Sequence, residues 1–195
     1  MKYLLTLSIF TIAFISYAQE QLQNGNIAPF FSAKDQFGKL VESKLLLKKG
    51  PLVVMFYRGY WCPNCNRQMS HVADSMKMIT DLGASVVAIT PEKSEYFEKT
   101  QKETNASFSF IHDENHKIMD DYKVTWQMGK TKSFFYKFGG INLDKSSGNK
   151  DRALPVPATY IIDQSGKIIG GYFNEDHTKR MAVSQIVKVL KKAGV

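Results

Sequence analysis

Cysteine is scarce in this chain of 195 residues: Cys62 and Cys65 are the whole supply. Any thiol chemistry is therefore confined to one place. A bridge between them encloses only two residues, and so small a loop constrains the unfolded chain too little to serve as a structural staple. Histidine is also sparse, with His71, His112, His116 and His177 the only imidazoles available to assist a metal. No basic run is dense or interleaved with aromatics, so the formal net charge of +8 reads as solvated faces rather than a nucleic-acid site. Beyond Tyr17 no apolar run approaches the roughly 20 residues of a membrane span. Internal repeats and low-complexity tracts are missing too.

At the start, Lys2 is followed by an apolar stretch over residues 4–14, then by Ser16-Tyr17-Ala18 with small residues at the −3 and −1 positions of a cleavage site. This pattern predicts a secretory signal peptide at residues 1–18 and an exported protein, periplasmic or secreted, with no stable membrane span once the signal is removed. Residues 19–26 are polar and are expected to be a flexible lead-in. Residues 27–195 are expected to form one domain, which is long enough to bury a sizeable core. Hydrophobic residues make up 44% of the chain, as in globular proteins.

The chain is organised around residues 52–65, LVVMFYRGYWCPNC. The continuous apolar run predicts a strand buried on both faces. A short polar turn carrying Arg58 and Gly59 leads to Trp61 and the Cys-Pro-Asn-Cys unit. Residues 62–82 have helical spacing, with Pro63 in the first turn, Met69, Val72, Met76 and Ile79 as one apolar stripe, and Gly83 as C-cap. Ahead of this stretch, residues 35–39 carry a turn signal, for a short hairpin or an extended arm with a turn, and residues 45–50 read as a helical turn and stop. After it come a buried strand (84–90), a polar helix (94–103), a short strand (108–111) and a short helix (115–122). Residues 123–152 are aromatic-rich with scattered glycines and predict an inserted segment lying over the domain. A strand (158–163), a turn at Gly166, a returning strand (168–173) and a final helix with Val183, Ile186, Val187 and Leu190 complete a three-layer α/β pattern.

In an oxidising compartment a Cys-x-x-Cys at a strand-to-helix junction points to redox exchange. Unpaired N–H groups at a helix N-terminus stabilise a thiolate, and motifs of this type reach pKa values of roughly 3.5–7.5 against about 8.5 for a free thiol. Arg58 is placed to add positive potential, and Trp61 to shield the thiols or dock a partner. One cysteine attacks and the other resolves; the residues leave the order open. Pro157, just before a strand, suggests a cis Val156-Pro157 bond that sets a turn against the thiols and frees backbone at Val156 for a substrate chain.

Cys-Pro-Asn-Cys after an apolar strand, with Pro-Ala-Thr-Tyr-Ile-Ile-Asp before a glycine turn, resembles the thioredoxin superfamily. More narrowly, FYRGYWCPNCNRQM and LPVPATYIIDQSGKI are similar to the peroxiredoxin-like branch of the AhpC/TSA family. The resemblance implies a thioredoxin-like fold: a central mixed sheet flanked by helices, with the inserted segment before the late hairpin. It implies thiol-dependent redox chemistry at Cys62 and Cys65, a cis Pro157 and no cofactor. Peroxiredoxins carry a proline seven residues, and a threonine three residues, before the attacking cysteine. Counted without gaps from Phe56, that cysteine is Cys65, and Arg58 and Cys62 replace the two helpers. The family's late-strand arginine falls on Pro157. Arg58, Arg152 and Arg180 are candidates to supply the missing charge. Asp176 and Arg180 also match the branch.

Three activities fit these residues. The first is reduction of hydroperoxides, with re-reduction by a thioredoxin-like donor. The second is exchange with protein disulfides, begun by Cys62. The third is thiolate metal binding, as in a copper chaperone. His71 lies six residues past Cys65, roughly 240° around the helix from it, and so is not set to share a metal with it.

Overall fold

The computed structural model describes residues 21–149 and 151–194. The expected signal peptide, residues 1–18, lies outside the described residues. Of the expected flexible lead-in, residues 23–26 are tied down. The Gly25 N–H donates to Ile168 O at 2.8 Å, and Asn26 O accepts from the Ile168 N–H at 2.9 Å. These bonds satisfy the outer edge of a strand.

A short hairpin, β1 (Ser32–Lys34) and β2 (Leu40–Glu42), leads into α1 (Ser43–Leu47) and β3 (Leu52–Phe56). Then follow α2 (Pro63–Asp74), α3 (Met76–Thr80), β4 (Ser85–Thr90), α4 (Phe97–Thr104), β5 (Ser109–His112) and α5 (Lys117–Asp121). The inserted segment contains β6 (Thr125–Gln127), α6 (Lys130–Phe138) and α7 (Leu143–Ser147), and returns through β7 (Ala153–Pro155). β8 (Ala158–Ile162), β9 (Ile168–Phe173) and α8 (Val183–Lys192) close the domain.

The five-stranded sheet has the order β5-β4-β3-β8-β9. β3, β4 and β5 run parallel, while β8 pairs antiparallel with both β3 and β9. β3 is central, and all five of its residues are at most 2% exposed. Its side chains alternate between two cores. Val53 and Met55 join Met69, Val72, Phe97, Ile186 and Leu190 under the α2, α4 and α8 layer. Leu52, Val54 and Phe56 join Phe31, Val41, Leu47, Met119 and Tyr122 on the other side. The apolar run thus reads as a strand because both of its faces are covered.

The predicted helix over 62–82 is two helices. Ser75, at φ −104° and ψ 8°, leaves the helical region and separates α2 from α3. Serine is a weak helix former, and the break still leaves Ile79 fully buried. Gly83 caps the segment at φ +69°. The predicted helix over 94–103 is likewise a 3₁₀ turn followed by α4.

Gly50 and Gly83 sit back to back where β3 and β4 begin. A Cβ on Gly50 would lie 2.1 Å from Gly83 O, a backbone atom that cannot step aside. Gly50→Ala is expected to cost about 2 kcal/mol or more, a typical price for overpacking against backbone. The corresponding fall in Tm is roughly 4–8 °C; an unchanged Tm in calorimetry would contradict the packing described here.

Candidate active site

β3 ends inside the protein, and the turn after it is held at both ends. The Tyr57 N–H donates to Ile89 O, and the Cys62 N–H donates to Gly59 O, each at 3.0 Å. Cys62 is the N-cap of α2, with Pro63 opening the first turn. Cys62 O accepts the N–H groups of Cys65 and Asn66, both at 3.0 Å. Cys65 therefore lies one turn inside the helix. The two are joined as a disulfide with Cα atoms 5.3 Å apart. Both are buried, Cys62 at 4% and Cys65 at 1% exposure.

The decisive cation arrives from the far end of the chain. Arg180 Nη2 donates to Cys65 Sγ at 3.2 Å and reaches Cys62 Sγ at 3.8 Å. A series of short bonds aims it. Pro157 O accepts the Asn174 N–H at 3.3 Å. Asn174 Oδ1 accepts the Asp176 N–H at 2.9 Å. Asp176 Oδ1 accepts from the Thr178 N–H and hydroxyl at 2.9 and 2.7 Å. Arg180 Nη1 then donates to His177 O and Lys179 O, both at 2.7 Å. The match of Asp176 to the family branch thereby acquires a physical role: it shapes the turn that carries Arg180. Burial, and next the repulsion of Arg58, pull the Arg180 guanidinium down to about 10, so it stays charged at neutral pH.

Arg58 stands on the other side and is held by aromatics. Its guanidinium carbon lies 5.1 Å from the Trp61 ring and 5.6 Å from the Tyr136 ring, and Nη2 donates to the Tyr136 hydroxyl. Trp61 packs both on the α2 core and on the small core of the inserted segment, formed by Met128, Leu143 and Leu154. Its faces are thus largely occupied. Arg152, the third arginine considered, sits on the return from the insert in a left-handed conformation, φ +59°. Among the described residues it makes no hydrogen bond to either sulfur.

The expected cis bond at Pro157 is a correction. Every described peptide bond is trans, Val156-Pro157 included. The reason lies in the insert. The Val156 N–H donates to Val124 O at 2.7 Å, and β6 pairs with β7 immediately before it. The N–H of Val156, the residue expected to dock a substrate or partner, is therefore already used. Val156 and Pro157 instead line a cleft of about 270 Å³ with Arg58, Trp126, Lys132, Glu175 and His177. The cleft is electropositive: burial first, then Arg58 and Lys132, push the His177 imidazole below its usual value.

A buried carboxyl lies under the turn and was not anticipated. Glu92 is 1% exposed. Its Oε2 accepts the Tyr60 N–H at 2.9 Å, while Oε1 has no partner. Trp61 Nε1 is also unpartnered. Both atoms face Gly59, where a Cβ would come within 2.6 Å of Trp61 Nε1 and 2.7 Å of Glu92 Oε1. Only glycine fits between them, and its φ of +147° adds a second reason. The available signal was a carboxylate just past a buried strand, behind Pro91. The four histidines are dispersed: His112 Nδ1 bonds Glu92 O, His116 bridges Asp120 and Asp151, His71 is exposed, and His177 lines the cleft.

Burial pushes the Glu92 carboxyl up to about 8, with the Tyr60 N–H and Lys99 only partly opposing it. The folded protein therefore keeps a proton that the unfolded chain releases near 4.5. Stability attributable to this group must fall as pH rises between these values and level off above the higher one. Glu92→Gln is expected to remove that slope. In urea titrations the variant should gain on the parent by on the order of a few kcal/mol between pH 5 and pH 8.5. Parallel curves for the two proteins would rule out a buried, proton-retaining carboxyl.

Comparison with known proteins agrees with this frame. The AhpC/TSA family model matches residues 24–170. Chloroplastic peroxiredoxin Q of Suaeda salsa is 25% identical over 171 residues, covering 88% of this chain and 69% of its own. The Sedum lineare protein of the same name is 26% identical, covering 88% and 79%. Among solved structures, peroxidoxin BcpB from Mycobacterium tuberculosis superposes with a TM-score of 0.69 at 18% identity, over 88% of this chain and 98% of that one. A secreted M. tuberculosis disulfide oxidoreductase homologous to E. coli DsbE superposes with a TM-score of 0.57 at 17% identity, over 83% and 95%. Because the family match runs from the arm ahead of β1 into β9, the chain belongs to the AhpC/TSA family, as a peroxiredoxin-like, thiol-dependent peroxidase or oxidoreductase of thioredoxin fold.

Proposed function

We propose that the protein reduces hydroperoxides with Cys65 as the attacking thiolate and Cys62 as the resolving one, in an exported compartment, and that a thioredoxin-like donor restores the dithiol. The observation that carries this reading is the Arg180 guanidinium, 3.2 Å from Cys65 Sγ and 3.8 Å from Cys62 Sγ. In the reduced protein a cation at that distance in a buried site favours the Cys65 thiolate. The same charge faces the oxygen that leaves as the peroxide bond breaks. Cys65 is also the cysteine that aligns with the attacking position of the family. Arg180 thus takes the place of the absent late-strand arginine, arriving from the loop before α8.

The electron count closes in three steps. Cys65 thiolate attacks one peroxide oxygen, forming a sulfenic acid and releasing an alkoxide that takes a proton to become the alcohol, or water from hydrogen peroxide. Cys62 thiolate displaces hydroxide from the sulfenic acid, giving the disulfide and, after protonation, water. A dithiol donor then reduces the disulfide and is itself oxidised. Cys62, the less buried cysteine and the N-cap of α2, is the sulfur a protein donor reaches first.

Exchange with protein disulfides is the second reading, favoured by the two-cysteine helix mouth. It is weakened by the trans Pro157 and by the Val156 N–H already bound to Val124 O. An extended substrate chain finds no free donor there.

Stopped-flow peroxide consumption by the reduced protein tests the assignment. Cys65→Ser should fall to the background rate of a free thiol. Cys62→Ser should complete one turnover and leave a dimedone-reactive sulfenic acid on Cys65. Arg180→Met should slow the first step by about 10²–10³-fold. A variant lacking Cys65 that still consumes peroxide through Cys62 would reverse the roles proposed here.

Arg180→Met carries a second expectation, on acidity. With the guanidinium gone, the Cys65 thiol should ionise at higher pH. Alkylation rate against pH, measured on the Cys62→Ser background, should therefore shift upward. An unmoved profile would mean that Arg180 has no part in holding the thiolate.

A further inference from the structure

Helix α6 carries its apolar side outward. From Lys130 to Phe138 only Ser133 and Tyr136 are half-buried. Tyr136 makes the attachment, edge-on to Trp61 at 5.7 Å and bonded to Arg58. Phe134, Phe135 and Phe138 are 66%, 67% and 88% exposed. A helix on a globular domain ordinarily turns such a face to the core. Three neighbouring exposed phenylalanines mark a surface with an occupant.

Charge identifies that occupant. Lys130, Lys132 and Lys137 stand on the same helix, and Lys145 and Lys150 follow, while Asp144 is the only acid between residues 129 and 150. Lys132 also lies over the Trp126 ring at 5.1 Å. Lysines set among aromatic rings are the composition of segments that lie in a membrane interface. A second copy of the chain would bring the same lysines against each other. A protein partner is disfavoured on other grounds: lysine is depleted at protein interfaces, and Thr131 is the only neutral polar side chain exposed on α6 to fix a partner's orientation.

We propose that α6 is an interfacial helix that seats the protein on an anionic lipid bilayer. Phe134, Phe135 and Phe138 enter the boundary between headgroups and acyl chains, and Lys130, Lys132 and Lys137 meet the lipid phosphates. Trp126 and Lys132 belong both to this face and to the cleft beside Arg58 and Pro157. Docking through α6 therefore places that cleft at the lipid boundary. The inference stands independently of which cysteine attacks.

Flotation with vesicles tests it, using the processed chain from Gln19, which contains every described element. Vesicles of equimolar phosphatidylglycerol and phosphatidylcholine should bind the protein, pure phosphatidylcholine should bind it more weakly, and added salt should weaken the first more than the second. The triple variant Phe134→Ser, Phe135→Ser, Phe138→Ser should lose at least about tenfold in vesicle affinity. Its circular dichroism and its titre of two thiols should match the parent. Lys130→Glu with Lys137→Glu should abolish the preference for anionic vesicles. Binding to neither vesicle, or equal binding by the triple variant, would overturn the proposal. So would a lipid-free dimer in sedimentation that the triple variant abolishes, since the face would then belong to a second copy.

Discussion

A guanidinium bound to a buried pair of sulfurs is the contact on which the rest of the site depends. Arg180 is separated from Cys65 by 115 residues, and bringing it there requires the whole late half of the chain. β8 must pair with β3 to place Pro157 beside the turn, β9 must return, and the Asn174–Asp176–Thr178 bonds must hold the loop. A buried cation is costly unless its donors are satisfied. Here two backbone carbonyls take Nη1 and the sulfurs take Nη2, while Nε has no partner among the described residues. On the proposed assignment, a thiolate in the reduced protein gives the charge a counter-ion. Arginine and cysteine therefore each make the other tolerable in a half-buried site.

The second arginine is stabilised differently. Arg58 is 6% exposed and rests on the π-faces of Trp61 and Tyr136, where a weakly hydrated planar cation loses less than an ammonium would. Tyr136 belongs to the inserted segment, so the insert is a structural part of the site. It contributes a small core of its own, closed by Trp61, and it occupies the Val156 N–H. In taking that donor it removes a hydrogen bond that an extended chain could have used.

Beneath the turn, Glu92 sets a further condition. Its carboxyl accepts from the Tyr60 N–H and leaves one oxygen unpaired against Gly59. Held as the neutral acid at ordinary pH, it accepts from the backbone of the turn without adding a buried negative charge there.

Much of the frame was legible in the sequence, because local physics encodes it. The apolar run at 52–57, the proline at the first turn of α2, and the Gly166 turn each report a backbone preference or a burial pattern that acts over a few residues. The two cysteines, their helix mouth and the candidacy of Arg58 and Pro157 followed from the same local logic. What escaped depends on distances between segments far apart in the chain. The trans Pro157 was decided by Val124, a strand of the insert away, and the choice among Arg58, Arg152 and Arg180 by the loop that hangs from Pro157 O. Glu92 reads as an ordinary surface acid until β4 delivers it under Gly59. The sequence by itself determined a buried strand presenting two thiols at a helix N-terminus, since propensity and periodicity are local. Tertiary structure alone decided which charges surround those thiols, since electrostatics in a buried site is set by separation in space rather than along the chain.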